Sequence, residues 1–127
     1  MRDTVVLEPV QKPSITHTQI VRYAGAAGDF HPLHTVVPFA EQTIFKGVIA
    51  HGMMIKGYIG QAIGHWFDVE NLIYFKTRFQ AITRPGEKIT IFGKIEEETL
   101  ELWNCSAQAV NEEGEVKASA EFNIKKC

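Results

Sequence analysis

The chain has 127 residues, of which 45% are hydrophobic and 22% charged, and its formal net charge at pH 7 is −2. This length predicts one domain over residues 1–127, and this composition excludes a disordered chain. Because the 13 Lys and Arg residues form no basic run longer than Lys125-Lys126, we expect no nucleic-acid partner.

The sequence carries no mark of secretion or of a membrane. Cys105 and Cys127 are too few for a disulfide framework. No apolar signal segment follows residues 1–4, and no stretch approaches the roughly 20 apolar residues of a membrane span. We therefore expect a cytoplasmic protein with no membrane partner. A domain of this size has little apolar area to spare, so burial in a homo-oligomer would stabilise it.

Residues 14–66 carry helix and loop signals, beginning with a short helix. Thr16 or Thr18 can cap this helix, which runs to about Ala27, and Gly28 suits its exit. Its apolar face is predicted to contain Ile20, Val21 and Ala24.

Pro32 excludes a helix through residues 29–34, because it lacks an N–H and holds the preceding residue in extended or turn geometry. After it we expect a short helical turn at residues 37–43. A loop or an edge segment is predicted at residues 45–49.

The longest helix is predicted from Gly52 to about Trp66. One side carries apolar residues at helical spacing, namely Ile55, Ile59, Ala62 and Trp66. Another side carries three glycines, Gly57, Gly60 and Gly64. Each glycine costs a helix interior about 1 kcal/mol relative to alanine, so three of them indicate that another element, most simply a sheet, packs very close. The alternative is that the helix ends early and these are loop glycines.

Residues 69–126 predict successive antiparallel strands. Apolar and polar residues alternate in three stretches, with apolar members Ile89, Ile91, Gly93 and Ile95; Trp103, Cys105, Ala107 and Ala109; and Val116, Ala118, Ala120, Phe122 and Ile124. The last stretch is predicted to point Lys117 and its alternate neighbours outward. Turns are expected at residues 84–86, 96–99 and 111–114, after a first strand near residues 72–82. One helix against such a sheet is an α+β domain.

Asp29 and His34 flank Pro32, five residues apart. A carboxylate and an imidazole that converge can hold one water molecule, accept a proton from it and deliver one elsewhere. Histidine titrates near neutral pH, and partial desolvation can raise the pKa of an aspartate toward it. The spacing alone is a weak signal, because a turn-capping Asp beside a surface His gives the same pattern.

Gly52 is predicted to open the long helix, where backbone N–H groups lack intrahelical partners and the helix dipole is positive. Its N–H could bind a substrate carbonyl oxygen and stabilise the charge that develops there, and no Cβ would block the ligand. The alternative is an ordinary helix start with a small residue.

Three stretches together resemble the MaoC-like dehydratases, which include the (R)-specific enoyl-CoA hydratases. They are residues 23–34, which contain Gly-Asp-Phe-His-Pro-Leu-His; residues 45–53, which end in Ala-His-Gly-Met; and residues 79–87, which contain Arg-Pro-Gly-Glu. The resemblance implies a hot-dog fold, in which an antiparallel sheet wraps around a central helix, and usually a dimer. It also implies that Asp29 and His34 hold the catalytic water while the Gly52 N–H polarises a thioester carbonyl. The expected substrate is an acyl-CoA or acyl-carrier-protein thioester, with no further cofactor and no metal.

The chain departs from the family pattern at several positions. His31 stands where the family has an asparagine, Thr35-Val36-Val37 replaces an acidic residue, and Gly60 falls where some relatives carry a serine. These changes bear on substrate choice and rate more than on reaction type. We assign His31, His51, Met53 and Tyr58 to substrate binding, with core packing as the alternative for Met53 and Tyr58.

Three other functions fit parts of the pattern. Asp29 and the histidines at 31, 34 and 51 could be metal ligands. A hot-dog thioesterase would bind the same substrates, although it normally needs a carboxylate near the central helix, and residues 53–64 contain none. The chain could also be one subunit of a heteromeric dehydratase.

Overall fold

The computed structural model describes residues 5–27, 36–38, 49–50 and 52–126. The helices are α1 (His17–Ala27) and α2 (Gly52–Trp66), and a 3-10 turn spans Val69–Asn71. The strands are β1 (Val5–Val6), β2 (Val10–Gln11), β3 (Leu72–Phe79), β4 (Thr90–Glu98), β5 (Leu102–Val110) and β6 (Val116–Lys125).

The strands form one antiparallel sheet in the order β1-β4-β5-β6-β3, and β2 also pairs with β4. Short turns join β4, β5 and β6 into a meander, whereas β3 lies on the far side of β6 and forms an edge of the sheet as far as the described residues go. The α+β prediction is confirmed. Strands β1 and β2 were not predicted, because two residues are too few to show an alternation.

The core lies between α2 and the concave side of the sheet. The predicted apolar side of α2 is buried at Ile55, Ile59 and Ala62, and Trp66 packs against the same cluster. The sheet contributes the predicted alternate residues, among them Ile91, Ala107, Ala118, Phe122 and Ile124. Burial of each large aliphatic side chain stabilises the fold by about 1.5–3 kcal/mol, so this face holds α2 against the sheet.

The glycines of α2 explain the approach of helix and sheet only in part. A Cβ at Gly64 would lie 3.1 Å from Val69, and one at Gly60 would lie 3.7 Å from Phe75, which is ordinary contact. No atom of the described residues lies within 4 Å of a Cβ at Gly57. Among the described residues, the predicted glycine stripe therefore has no close neighbour at Gly57, ordinary contact with the sheet at Gly60, and a close contact with the 3-10 turn at Gly64. The closest approach uses a glycine of the sheet instead, because a Cβ at Gly93 would overlap the ring of Trp66.

Helix α1 begins with a reciprocal cap. The Thr16 N–H donates to Oε1 of Gln19 at 2.8 Å, and the Gln19 N–H donates to Oγ1 of Thr16 at 3.0 Å. Thr16 is thus the cap, and Thr18 lies inside the helix. Ile20 is buried as predicted, but the prediction for Val21 is wrong, because this side chain is 43% exposed.

Three further predictions need correction. Strand β3 ends at Phe79, before residue 82, and β4 continues through a bulge after Ile95 to Glu98, so the turn falls at residues 99–101 instead of 96–99. Lys117 does not point into solvent, because it is 3% exposed. The predicted turns at 84–86 and 111–114 are confirmed, and Gly86 and Gly114 have φ values of 95° and 86° there.

Several predictions fall on residues outside the described ranges. These are the exit at Gly28, the bend at residues 29–34 and most of the segments 37–43 and 45–49; Val37 and Pro38 are helical, and Ile49 is buried. Among the helices of the described ranges, none is long and apolar enough to cross a membrane.

Candidate functional site

Helix α2 begins at Gly52, as predicted. Ile49 and Ala50, which lie three and two residues before it, are buried, and the Ala50 N–H donates to the carbonyl of Thr83 at 2.7 Å. A Cβ at Gly52 would lie 3.4 Å from the ring of Phe79, the last residue of β3. The first turn of α2, with its donor groups and positive dipole, therefore lies beside an aromatic ring.

A pocket of about 430 Å³ opens at this helix start. Most of its described lining is apolar and comes from the segment before α2, from α2 and from the chain after β3; the largest members are Ile49, Ile55, Phe79 and Ile82. Gly52, Gln80, Thr83 and Lys117 add polar groups. The pocket can hold an apolar group whose polar end reaches the start of α2.

Thr83 is a buried polar residue of this pocket wall. Its side chain is 2% exposed, and its Oγ1 has no hydrogen-bond partner within the described part of the chain. Its backbone carbonyl, in contrast, accepts from Ala50. The backbone of Thr83 thus holds the chain that leads into α2, while the hydroxyl contributes no bond there.

The buried side chain of Lys117 lines this pocket and is held in a polar cluster. Its Nζ donates to the carbonyl of Ile82 at 2.7 Å, to Oε1 of Glu87 at 2.8 Å and to Oε1 of Glu115. Glu87 also accepts from the Arg84 N–H at 2.6 Å and from Nδ2 of Asn111 at 2.8 Å. Every proton of the ammonium group therefore has an acceptor.

Within this cluster, Glu87 and Lys117 shift each other's pKa. Burial alone would raise the pKa of Glu87, but the hydrogen bonds from Lys117, the Arg84 N–H and Asn111 outweigh it and hold that pKa below its ordinary 4.5. Burial alone would lower the pKa of Lys117, but the carboxylates of Glu115 and Glu87 outweigh it and raise that pKa above 10.5. Both groups are thus charged across the neutral range.

The described residues contain three of the predicted site residues. Gly52 lies at the helix start, and Met53 follows it with an exposed side chain. Tyr58 is half-buried against the core, its ring centroid lies 5.0 Å from Nζ of Lys12, and burial raises its pKa. It does not contribute to the described lining of the pocket. Roles for Met53 and Tyr58 in substrate binding stay predictions.

Asp29, His31, His34 and His51 lie outside the described residues. The convergence of Asp29 and His34 on one water molecule therefore stays a prediction. Within the described ranges no group of three or more His, Cys, Asp and Glu side chains could hold a metal ion, but the four candidate metal ligands are those same undescribed residues.

The wall of the pocket opposite α2 was not predicted from the sequence. Phe79 was noted only as part of a motif, Thr83 was not singled out, and Lys117 was placed outward. A lysine at an alternate position of a strand is by default solvated. The one available signal was the group of acidic residues in the turn just before it, Glu112, Glu113 and Glu115.

The chain matches the MaoC-like domain family over residues 4–119. It is 33% identical over 79 residues to the (R)-specific enoyl-CoA hydratase of Rhodospirillum rubrum, a match that spans 61% of this chain and 55% of that protein. It is 29% identical over 89 residues to the 3-hydroxybutyryl-CoA dehydratase of Methylorubrum extorquens, which spans 68% of this chain and 57% of that one. The chain thus aligns with little more than half the length of these two relatives.

A solved structure supports the same architecture. The ChsH1–ChsH2 complex from Mycobacterium tuberculosis superposes with a TM-score of 0.86 at 17% identity, over 100% of both chains compared. The antiparallel sheet around α2 is a hot-dog fold, as predicted. That neighbour is also an assembly of two different chains, as its name states.

Proposed function

The chain belongs to the MaoC-like domain family, and we propose from this premise that it is an (R)-specific enoyl-thioester hydratase, which equally acts as a 3-hydroxyacyl-thioester dehydratase. The observation that carries the proposal is the position of Gly52. It opens a helix of 15 residues beside an apolar pocket, where the family motif has its carbonyl-binding glycine. The names of the two curated relatives supply the reaction and the thioester class.

In the proposed mechanism, the thioester carbonyl oxygen accepts a hydrogen bond from the Gly52 N–H. The helix dipole lowers the energy of the negative charge that develops on this oxygen during reaction. Polarisation also draws electrons from the conjugated double bond, which makes C3 electrophilic. An apolar part of the substrate occupies the pocket beside Ile49, Ile55 and Phe79.

Asp29 and His34 provide the proton transfers. Together they hold one water molecule, whose oxygen adds to C3 as its proton passes to one of the pair, and a proton is delivered to C2 of the enolate. The product is a 3-hydroxyacyl thioester, and the reverse sequence eliminates water. This pair is expected to contribute roughly 10²–10⁴ in rate.

We also propose a homodimer in the cytoplasm. Strand β3 pairs with β6 on one side only among the described strands, and its Ile73, Tyr74 and Phe79 are exposed. An unpaired edge with apolar side chains invites a second strand, and a second copy of β3 would supply it. A buried free thiol at Cys105 suits a reducing compartment. A different partner chain is the alternative, and size-exclusion chromatography with an assay of the chain alone separates the two.

The reaction is tested by its products. With crotonyl-CoA as substrate, we expect loss of the enoyl absorbance without release of free thiol, and (R)-3-hydroxybutyryl-CoA as product. Free CoA thiol would indicate the thioesterase instead, and the (S) enantiomer would contradict the family assignment of stereochemistry. A chelator is expected to leave the rate unchanged, whereas a loss of activity would favour the metal alternative.

A further inference from the structure

Residues 82–87 form a turn, and the side chain of Lys117, which comes from β6, binds both ends of it. The ammonium group binds the carbonyl of Ile82 at one end of the turn and the carboxylate of Glu87 at the other. Glu87 in turn accepts from the Arg84 N–H inside the turn, and its own N–H donates to the Arg84 carbonyl at 3.3 Å. The backbone carbonyl of Lys117 also accepts from Gln80 at 2.9 Å and from Ala81 at 3.2 Å.

The same turn contacts the chain just before each helix. The Thr83 carbonyl accepts from Ala50, two residues before Gly52. The Glu87 carbonyl accepts from the Ile15 N–H at 2.9 Å, and the Gly86 N–H donates to the Ile15 carbonyl at 2.6 Å. Ile15 directly precedes the cap of α1, the helix that leads toward Asp29. The turn is thus hydrogen-bonded to the residue that precedes the cap of α1 and to the residue two positions before the start of α2.

The hydrogen bonds of Lys117 enable it to fix the conformation of the 82–87 turn. An ammonium group has three protons, and here each one has an oxygen acceptor within the protein. Both charges of the Lys117–Glu87 pair are mostly withdrawn from solvent, with side-chain exposures of 4% and 19%. A pair in this environment is costly to break and so defines one arrangement of the turn.

We propose that Lys117, held by Glu87, is a positioning residue, which fixes the 82–87 turn and thereby the location of the Gly52 N–H relative to the segment that begins at α1. This inference rests on the proposed function, because it concerns the geometry of that site. Although Lys117 lines the pocket, its three ammonium protons are bound by protein oxygens, so it acts through the turn and donates nothing to the substrate. The consequence is that its loss changes the chemical step even in molecules that remain folded.

Two variants and one control test the proposal. Lys117→Met keeps the length of the side chain but removes charge and donors, and Glu87→Gln weakens the same contact from the other side. Glu115→Gln is the matched control, because Glu115 also pairs with Lys117 but is exposed and makes no hydrogen bond to the turn among the described residues. The folded fraction of each variant at the assay temperature is measured by circular dichroism.

The kinetic readout is hydration of crotonyl-CoA per folded molecule. A displacement near 1 Å can cost up to about 10²-fold in rate, so we expect kcat to fall by roughly 10- to 10²-fold in Lys117→Met and by less in Glu87→Gln, with KM nearly unchanged. Glu115→Gln keeps kcat near the wild-type value. Should Lys117→Met fail to fold, Glu87→Gln against Glu115→Gln carries the comparison.

A spectroscopic readout separates positioning from plain stability. A cinnamoyl-CoA bearing a dimethylamino group on its ring absorbs at longer wavelength when its thioester carbonyl is polarised. We expect a red shift on binding to wild type and to Glu115→Gln, and a smaller one on binding to Lys117→Met. Wild-type kcat and red shift in both Lys117→Met and Glu87→Gln would overturn the proposal.

The outcome also distinguishes this inference from the proposed function. If Asp29→Asn loses hydration activity while the Lys117 and Glu87 variants keep it, only the positioning role is refuted. If the wild-type protein shows no hydration activity, the proposed function is refuted, and the positioning role is refuted with it.

Discussion

The ring of Trp66, at the end of α2, lies directly over Gly93 of β4, and its Nε1 donates to the carbonyl of Glu8 at 2.6 Å. This contact joins the helix, the middle of the sheet and the chain between β1 and β2.

Because a Cβ at Gly93 would overlap the indole, we expect Gly93→Ala to lower the free energy of unfolding by about 1–3 kcal/mol, measured by urea denaturation. Gly57→Ala is the control, since no described atom opposes it; it is expected to be neutral or to stabilise by up to about 1 kcal/mol. Equal effects of the two variants would contradict the close contact at Gly93.

The pH dependence of stability is predicted from Glu87. Its pKa is lower in the folded protein than the ordinary 4.5, so its charged form stabilises the fold above pH 4.5, and this contribution is lost as the pH falls through the folded value. Urea denaturation of wild type and Glu87→Gln at neutral pH and below pH 4.5 measures it. We expect the stability difference between them to shrink at the lower pH, and a constant difference would contradict the interaction.

The sequence predicted the β6 alternation correctly at Ala118, Ala120, Phe122 and Ile124, yet it failed at Lys117. Hydrophobic periodicity reflects the average preference of each residue type for burial, so it predicts that every lysine is exposed to solvent. Burial of Lys117 depends on Glu115, two residues before it, and on Glu87, which comes from the turn before β4, and the contact with Glu87 follows only from the assembled sheet. The long helix was predicted from Gly52 to about Trp66 and is observed at Gly52–Trp66, because an apolar pattern at helical spacing runs between these residues.

The candidate site, too, could be predicted from the sequence only in part. Gly52 could be predicted because a motif of adjacent residues marks a helix start. Phe79 and Thr83, which form the opposite wall of the pocket, are distant in sequence and reach it only through the pairing of β3 with β6 and the turn that follows. A glycine stripe on α2 suggested close packing, but the contact at Gly93 shows that the sheet can supply the small residue instead.

Thr83→Val tests the buried hydroxyl in the pocket wall. Thr83 Oγ1 is buried without a hydrogen-bond partner in the described part of the chain, and an unsatisfied buried polar group costs about 1–3 kcal/mol. We expect the valine variant, which keeps the shape, to be as stable as wild type or more stable by about 1 kcal/mol. Thermal unfolding measures this, and Thr83→Ser, which keeps the hydroxyl, is the control. A clear loss of stability in Thr83→Val alone would reveal a bond to the hydroxyl.

Gly52→Pro tests the proposed carbonyl donor. Proline is accepted in the first turn of a helix but has no N–H, so the fold should persist while the donor disappears. Loss of one such donor lowers kcat by about 10²–10³. Gly52→Ala retains the N–H, and its Cβ would meet only ordinary contact with Phe79 at 3.4 Å, so it should keep more activity. Equal kcat in the proline and alanine variants would argue against the N–H as donor.

The acid–base pair is tested by hydration of crotonyl-CoA with wild type, Asp29→Asn and His34→Gln. His65→Gln, at an exposed histidine of α2, controls for the loss of an imidazole elsewhere. We predict that each site variant loses at least roughly 10² in kcat with little change in unfolding temperature, while the control does not. Wild-type turnover in both Asp29→Asn and His34→Gln would contradict the assignment.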